Sequence, residues 1–568
     1  MSGKSTQKKN TTKASRDKAK RILRVVLIAA LCALFVHNYR ALFDRKLDPN
    51  GDNISYFLLA KALSEGKGYI DLVPPTSVPH VHFPPGYPMF MSVFMHIFPD
   101  NIIAMKVING VLFLLAVLLM FRIVRKTTGG NLWLAFAVCF VTLMHPSLLR
   151  WSVVMMSEML YIVISFGIIL ICLDLDVGKI FTRGKKDRRQ VARLCLLCLL
   201  VISAYLVRTM GISVVLAAAL AFVVTSFKAL LKKDKDWIKP AVVATTIIIS
   251  LLVAHGGWSV RNHIVNPGYK SDYSSGFMYT DKQEMMTPSL FWGRLKTNVS
   301  EYVSTWIPRG LLTPKEAIDH MQHPEPTAKG WCVGILLLFL MLYGFLMLKK
   351  GRIMLISYLL VTFAVLMLYQ EQYAGIRYFI PVLPLMFLGV LNGIWSLVSL
   401  LVKVVTSKEI IALPAAAVLL ASALIVPPYL KGQEIYKKTA SFTNYIDVNP
   451  TAPFANYVRA AEWLKENARD NVVVACRKPE IMYMYSGYKH SVRFPLRGDD
   501  KEVLDFLKKT GTNIVVFDTW AKHAYTVILP VAKRHEDAFP VYYATPNDVK
   551  DAPTVISAFL PSKLQESY

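Results

Sequence analysis

The sequence predicts a polytopic α-helical membrane protein with a separate α/β domain at its C-terminal end. Hydrophobic residues make up 54% of the 568 positions, and the mean hydropathy is +0.40, which excludes an ordinary soluble protein. Eleven apolar runs reach the ~20 residues that an α-helix needs to cross a bilayer. Beyond residue 430 these runs give way to short alternating helix and strand patterns, which are typical of an α/β layer.

The N-terminal segment precedes the first apolar run. Residues 1–21 are rich in Lys, Arg, Ser and Thr and have few apolar side chains, so we expect a disordered, basic, cytoplasmic tail. The first span then covers about Ile22 to Phe43. No small-residue cleavage site follows it, and further spans come later, so it is interpreted as an uncleaved anchor and not as a signal peptide.

The order of basic loops predicts the topology. Loops after the second, fourth, sixth, eighth and tenth spans are basic, which places them and the N-terminus in the cytoplasm by the positive-inside rule. The membrane domain would cover 22–429. Its loops 44–101 and 259–330, and the separate domain 430–568, would lie on the extracytoplasmic side of the inner (plasma) membrane. The remaining spans are expected to begin near Ile102, Asn131, Trp151, Leu194, Gly211, Ala241, Trp331, Ile353, Ile376 and Ile410.

Charge and the C-terminal pattern limit the possible partners. The net charge is +27, but much of the excess lies in short loops between spans, which indicates anionic membrane lipid and not nucleic acid. In the C-terminal domain the segments AAEWLKEN, KPEIMYMYSG and DDKEVLDFLKKTG are predicted helices, and NVVVAC and NIVVFD are predicted strands. No glycine-rich phosphate loop follows either strand, so no nucleotide site is predicted. The pattern after Trp520 is too weak to divide.

The most informative stretch is the first external loop. Asp52 follows a Pro-Asn-Gly turn, and Tyr56, Leu59, Ala60 and Leu63 then recur at helical spacing. This spacing predicts a short amphipathic helix lying along the membrane surface. Asp52 either only caps that helix or is a carboxylate held near the lipid headgroups.

Further polar residues occur at the external ends of spans, where an ionisable group is costly unless it lines a cavity. A carboxylate with arginines at such a place suits transfer of a group from a lipid phosphate. Arginines bind the phosphate and stabilise the departing charge, while the carboxylate acts as general base. A single arginine at a span end can also snorkel to the headgroups, and a histidine there can be a packing residue. The residues concerned are Glu158, Arg208, His255, Arg261, Asn262, Glu371, Arg377 and Tyr378.

Six motifs in order resemble the GT-C glycosyltransferases that use polyprenyl-phosphate sugars, a superfamily that includes protein O-mannosyltransferases and the lipid A aminoarabinose transferase. They are GDxxxYxxLAxxLxxGxGY, FPPGYP, SE, RTMG, WxxRN and RYxxPxxP, and they span nearly the whole chain. The resemblance implies the GT-C fold, with about eleven transmembrane helices, and makes Asp52 the catalytic acidic residue. Many relatives have an Asp-Glu pair where this chain has Asp52 and Asn53, so a second carboxylate either comes from elsewhere or is not needed. Glu158 is the natural candidate, either to orient the acceptor or to help hold a divalent ion.

The chemistry and position of the other residues suggest further roles. Arg208, Arg261 and Arg377 are the candidates for binding the donor phosphate. The substrate groove would be formed by Tyr56, His82, Pro85, Tyr87, His255, Glu371 and Tyr378. The use of metal varies within the family, and no His/Asp cluster in this sequence has clear ligand spacing. No cofactor is therefore assigned, and a divalent cation stays open.

Together these features predict a membrane glycosyltransferase. It would move a monosaccharide from a polyprenyl-phosphate carrier to a lipid, glycan or protein acceptor on the extracytoplasmic side. The competing interpretation is a transporter or flippase for lipid-linked sugars, which should show internal repeats or helices broken near the midplane. The sequence has no clear case of either.

Overall fold

The computed structural model describes residues 2–49, 51–181, 187–269, 271–280, 285–312, 325–408, 410–443, 446–448, 450, 453–495, 498–519, 524–546 and 553–564. Helix α1, Ser2–Leu42, contains the first predicted span. It also includes the segment expected to be a disordered tail. Neither Gly nor Pro occurs between Lys4 and Ile22, so the chain has no strong helix breaker there.

The segment predicted to be the first external loop, residues 44–101, folds into two helices and a small hairpin; it keeps that name below. These elements are α2 (Gly51–Ser64), β1 (Ile70–Asp71), β2 (Val78–Pro79) and α3 (Gly86–Met95). The strands pair antiparallel, with Ile70 opposite Pro79. Helix α2 differs from the expected surface helix because both of its faces are covered: Phe57 and Leu58 are buried as fully as Tyr56 and Leu59.

The helices that follow form the membrane domain. They are α4 (Ile102–Thr127), α5 (Leu132–Met144), α6 (Pro146–Ser152), α7 (Glu158–Asp174), α8 (Val177–Ile180), α9 (Arg188–Val207), α10 (Gly211–Leu231), α11 (Ile238–Val265), α12 (Asp272–Met278), α13 (Pro288–Glu301), α14 (Ile307–Leu312), α15 (Ala328–Leu346), α16 (Arg352–Leu368), α17 (Ile376–Phe379), α18 (Leu383–Thr406) and α19 (Ala412–Ser441).

Among the described residues, seven helices are long and apolar enough to cross a membrane, or eight if α5 and α6, which bend by 67°, are one span. The chain is therefore a multi-pass membrane protein, but the predicted number of eleven is not confirmed. The expected start near Trp151 is also displaced: α6 ends at Ser152, and the next long helix begins at Glu158. This shift places Glu158 at the first residue of α7, which packs between α4 and α9.

The C-terminal domain is an α/β layer, as predicted. Its elements are α20 (Pro453–Asn467), β3 (Val474–Cys476), α21 (Pro479–Tyr485), β4 (Ser491–Arg493), α22 (Asp500–Lys509), β5 (Ile514–Phe517), α23 (Leu529–Arg534), β6 (Val541–Ala544) and β7 (Val555–Ala558). The sheet order is β4-β3-β5-β7-β6, with β3 parallel to β4 and β5, and β7 antiparallel to β5 and β6. The sequence pattern did not predict β4, α23, β6 or β7.

Two features join the domains. Helix α19 continues through Pro427 and Pro428 to Ser441, so the boundary expected at 429/430 falls inside a helix. The C-terminal domain also contacts the first external loop: Ser491 N donates to Val73 O at 2.9 Å, and Tyr485 OH donates to Leu47 O at 2.7 Å. Helix α21 packs on α2, which explains why the second face of α2 is buried.

Candidate functional site

Four charged residues from distant parts of the chain meet where α2 lies against the membrane domain. Asp52 is the second residue of α2, Glu158 is the first of α7, and Arg208 directly follows α9. Arg377 lies in α17, the short helix before α18. All four are predicted site residues, and the structure brings them together.

The two arginines hold the two carboxylates. Arg377 donates from Nη2 to Asp52 Oδ2 at 3.0 Å, and its Nε lies 3.4 Å from Glu158 Oε1. Arg208 Nη1 lies 2.9 Å from the same Glu158 oxygen. The guanidinium of Arg377 also stacks over the Trp151 ring, 4.9 Å from its centroid, a contact that sequence reasoning missed.

Burial differs strongly within this cluster. Glu158 has no exposed side-chain surface, and the two arginines are only 14% and 16% exposed, whereas the Asp52 side chain is 42% exposed. Within the described part of the chain, no group hydrogen-bonds to Glu158 Oε2. Asp52 is therefore the member of the cluster that a ligand can reach, and Glu158 is the charge that holds the arginines in place.

Close backbone contacts position Arg208. The RTMG motif forms a tight turn in which Gly211 N donates to Arg208 O at 2.7 Å. A Cβ at Gly211 would lie 2.2 Å from Ala204 O, and one at Gly86, in the FPPGYP motif, would lie 2.7 Å from the Leu206 carbonyl carbon. Both motifs thus use a glycine to bring backbone against the end of α9, which carries Arg208.

Aromatic residues support the cluster from below. The ring of Tyr56 packs edge-on against that of Tyr87, with 5.0 Å between centroids, and Tyr87 OH donates to Asn109 Oδ1 at 3.2 Å. Tyr56 OH lies 3.5 Å from Ser157 Oγ, which also accepts from Arg208 Nη1 at 3.2 Å. Burial raises the pKa of Tyr56 to about 12, so its hydroxyl stays protonated.

The residue after Asp52 is explained by its contacts. Asn53 is fully buried, its Nδ2 donates to Asp48 O at 3.1 Å, and its Oδ1 accepts from Met155 N at 2.9 Å. A carboxylate at this position would have no donor to offer to the Asp48 carbonyl. The amide thus links α2 to the segment before Glu158, which accounts for the departure from the Asp-Glu pair.

A cavity of about 660 Å³ opens on the exposed side of Asp52. The first external loop forms one wall, and the C-terminal domain forms the other. Lining residues from the loop include Asp52, Ser55, Asp71, Val73, His80 and His82, and those from the C-terminal domain include Lys478, Glu480, Ser491, Arg493 and Phe506. Of the expected groove residues, His82 lines this cavity, whereas Tyr56 and Tyr87 do not. The contribution of the C-terminal domain was not foreseen.

Arg261 lies elsewhere, although it was expected near the donor phosphate. It donates to the backbone oxygens of His80 and, over 3.2 Å, of Tyr69, and it stacks on the Trp258 ring, 5.2 Å from its centroid. Its neighbour Asn262 donates to Val81 O at 3.2 Å. The WxxRN motif therefore attaches the loop containing β1 and β2 to α11, and Arg261 does not contact the charged cluster.

The other expected groove residues separate into two groups. Tyr378 lies beside Arg377, whose guanidinium is 6.0 Å from the ring centroid, and Pro85 immediately precedes α3. His255 Nδ1 is paired with Tyr205 OH at 2.6 Å, and Glu371 opens a short turn before α17. None of these four residues lines the cavity.

The cluster does not fit a divalent cation. The described residues contain no group of three or more His, Cys, Asp or Glu side chains that could hold a metal ion. The Arg377 guanidinium binds both Asp52 and Glu158, so it occupies the place that a cation bridging these carboxylates would need.

The fold is similar to that of ArnT from Cupriavidus metallidurans bound to undecaprenyl phosphate, with a TM-score of 0.54 and 13% identity over 95% of this chain and 98% of ArnT. It is also similar to that of the archaeal oligosaccharyltransferase AglB from Archaeoglobus fulgidus in complex with an inhibitory peptide and a dolichol-phosphate. The TM-score is again 0.54, with 13% identity over 96% of this chain and 75% of AglB. No protein-family model and no curated protein sequence matches the chain. The predicted GT-C fold with a C-terminal α/β domain is confirmed.

Proposed function

We propose that this protein is a membrane glycosyltransferase that moves a monosaccharide from a polyprenyl-phosphate carrier to an acceptor on the extracytoplasmic side. The carrying observation is the position of Asp52, which faces a cavity on one side and Arg377 on the other, next to buried Arg208. The fold is shared with proteins whose structures hold undecaprenyl phosphate or a dolichol-phosphate. The acceptor is a lipid, a glycan or a protein.

In the proposed reaction, Asp52 accepts the proton of an acceptor hydroxyl as the hydroxyl oxygen attacks the anomeric carbon. The bond between that carbon and the phosphate oxygen breaks, and the carrier phosphate leaves with the electron pair. Because Asp52 is partly exposed while its neighbours are buried, it is the carboxylate of the cluster that an acceptor hydroxyl can approach.

Arg208 and Arg377 are proposed to bind the donor phosphate and to stabilise the charge that develops on it. Each already pairs with Glu158, yet a guanidinium has five N–H donors in a planar fork. Among the described residues, no group accepts from Arg377 Nη1. Donors therefore remain for a phosphate without breaking the contacts to Glu158, and Glu158 acts as a positioning residue.

The test uses membranes that contain a radiolabelled pool of undecaprenyl-phosphate sugars and an envelope extract as the source of acceptors. We expect Asp52→Asn to slow donor consumption by ~100-fold or more, the contribution of a general base. Asp100→Asn is the matched control. Asp100 is a carboxylate of the same loop that pairs with Lys61 at the surface, and its φ of +53° is tolerated by asparagine.

Two outcomes would contradict the proposal. Donor consumption by Asp52→Asn at the wild-type rate would remove Asp52 from the reaction. Labelled lipid that crosses the bilayer unchanged, with no transfer by the wild type, would instead support a transporter or flippase. Expression of all variants must be matched by immunoblot.

A further inference from the structure

We propose that the C-terminal domain binds an anionic group of the acceptor, a phosphate or a carboxylate, through Lys478 and Arg493. This inference rests on the proposed function and names the substrate class that the cavity above Asp52 admits. Its physical basis is that the wall of the cavity opposite the first external loop carries these two cations.

Lys478 is the cation that the cavity leaves without a counter-ion. It is half-buried, and within the described ranges its ammonium group forms neither a hydrogen bond nor an ion pair with another side chain. Its backbone is held firmly, because its carbonyl accepts from Tyr457 OH at 3.0 Å and its N–H donates to the same oxygen at 3.2 Å. A half-buried ammonium without a partner is costly, and an anionic ligand would offset that cost.

The carboxylates lining the cavity are already engaged. Glu480 Oε1 lies 3.4 Å from Arg493 Nη2, a long contact that leaves other guanidinium donors available. Asp71 Oδ1 accepts from His80 Nδ1 at 2.7 Å, which fixes that carboxylate against the loop. Asp52, the third carboxylate that lines the cavity, pairs with Arg377. An anion next to Lys478 would therefore meet two cations and carboxylates that already have partners.

The position of these cations in the sheet gives independent support. Lys478 follows β3, and Arg493, the last residue of β4, is in register with Cys476, the last residue of β3. Both cations thus lie at the carboxyl edge of the parallel part of the sheet. In open α/β sheets, ligands bind at this edge.

Assignment to the acceptor follows from where the two pairs of cations lie. Arg208 and Arg377 are buried in the membrane domain around Glu158, where a lipid-linked phosphate would arrive. Lys478 and Arg493 lie on the opposite side of Asp52, in the soluble domain. Asp52, the proposed general base, lies between the two sites, so the acceptor hydroxyl would approach it from the side of the C-terminal domain.

The experiment measures protection of Lys478 from acetylation, by mass spectrometry, in the full-length protein in nanodiscs. The probes are glucose 6-phosphate, methyl glucoside and undecaprenyl phosphate. We expect glucose 6-phosphate to slow acetylation of Lys478 by about tenfold, as for a charge-assisted hydrogen bond, while the other two probes have no effect. Lys508, an exposed lysine of α22 outside the cavity, is the internal control.

Variants extend this test. Arg493→Gln should weaken the protection of Lys478 by about tenfold, and Lys478→Gln should weaken the binding of glucose 6-phosphate by about tenfold. Lys508→Gln should change neither. Protection by undecaprenyl phosphate in place of glucose 6-phosphate would overturn the assignment to the acceptor, and protection by no probe would overturn the site itself. These are binding measurements without turnover, so either failure is distinguishable from a failure of Asp52-dependent donor consumption.

Discussion

The Arg377 guanidinium donates from Nη2 to the Asp52 carboxylate over 3.0 Å, although 325 residues separate the two in the chain. The same guanidinium reaches the buried Glu158 with its Nε. Arg377 thus couples the accessible carboxylate of the site to the inaccessible one. Substitutions at Asp52 and Arg377 are therefore expected to have non-additive effects on activity.

This coupling predicts the outcome of a double-mutant cycle. Arg377→Gln should reduce sugar transfer by ~10²-fold or more, because this one substitution removes the hydrogen bonds that the guanidinium donates to the phosphate and to Asp52. The double variant with Asp52→Asn should be little worse than the more impaired single variant. Initial rates of labelled-sugar transfer provide the measurement. Losses that simply multiply would show that the two residues act independently.

Glu158 is predicted to matter for stability as well as for activity. Glu158→Gln leaves Arg208 and Arg377 buried without their shared carboxylate, so the free energy of unfolding should fall by ~3–5 kcal/mol. Thermal unfolding in detergent measures this change. Glu65→Gln is the control, because Glu65 pairs with Lys61 and Lys67 at the exposed end of α2, where such contacts contribute ~0–1 kcal/mol. Equal effects at both sites would contradict the assigned role.

Gly211 is predicted to be intolerant of a side chain. In Gly211→Ala the new Cβ would lie 2.2 Å from Ala204 O, so the turn that carries Arg208 must shift, at a cost of ~1–3 kcal/mol in stability. Gly257→Ala is the control, since nothing lies within 4 Å of a Cβ there and alanine favours the helix. The unfolding temperature and the rate of sugar transfer should both fall for Gly211→Ala, and neither should fall for Gly257→Ala. Wild-type values of both quantities for Gly211→Ala would show that the turn can move freely.

Arg261 provides a test between two roles, binding of the donor phosphate and attachment of the loop. Its guanidinium donates to the backbone oxygens of Tyr69 and His80, so Arg261→Ala should release the loop containing β1 and β2 and make it more sensitive to proteases. Affinity for undecaprenyl phosphate should stay unchanged. If that affinity falls while the loop stays resistant, Arg261 is a phosphate ligand.

The proposed anion site should respond to pH in one direction. Burial, followed by the charge of Arg477, lowers the pKa of Lys478 from the usual 10.5, and Arg493 acts in the same sense, whereas Glu480 and Asp52 oppose it. Lys478 must therefore lose its proton at a lower pH than a free lysine. Binding of glucose 6-phosphate should be strongest below that lowered pKa and weaken as the pH rises through it. In Lys478→Gln this dependence should be absent, and its persistence would assign it to another group.

The sequence by itself determined the class of fold and most of the charged cluster. Apolar runs of ~20 residues predict helices, because a backbone in hydrocarbon must satisfy its own hydrogen bonds. Asp52, Glu158, Arg208 and Arg377 stood out because an ionisable group at a span end is costly without a partner. The local sequence reveals the presence of these charges but not which of them are in contact.

Only the tertiary structure decided which charges pair and what covers them. Arg261 and Arg377 look equivalent as single arginines at span ends. However, Arg261 binds backbone carbonyls of the loop, whereas Arg377 binds two carboxylates. Phe57 and Leu58 fall on the face of α2 expected to be exposed, and they are buried because the C-terminal domain packs there. Lys478 enters the cavity for the same reason. Such contacts join residues hundreds of positions apart, and no local pattern in the sequence records them.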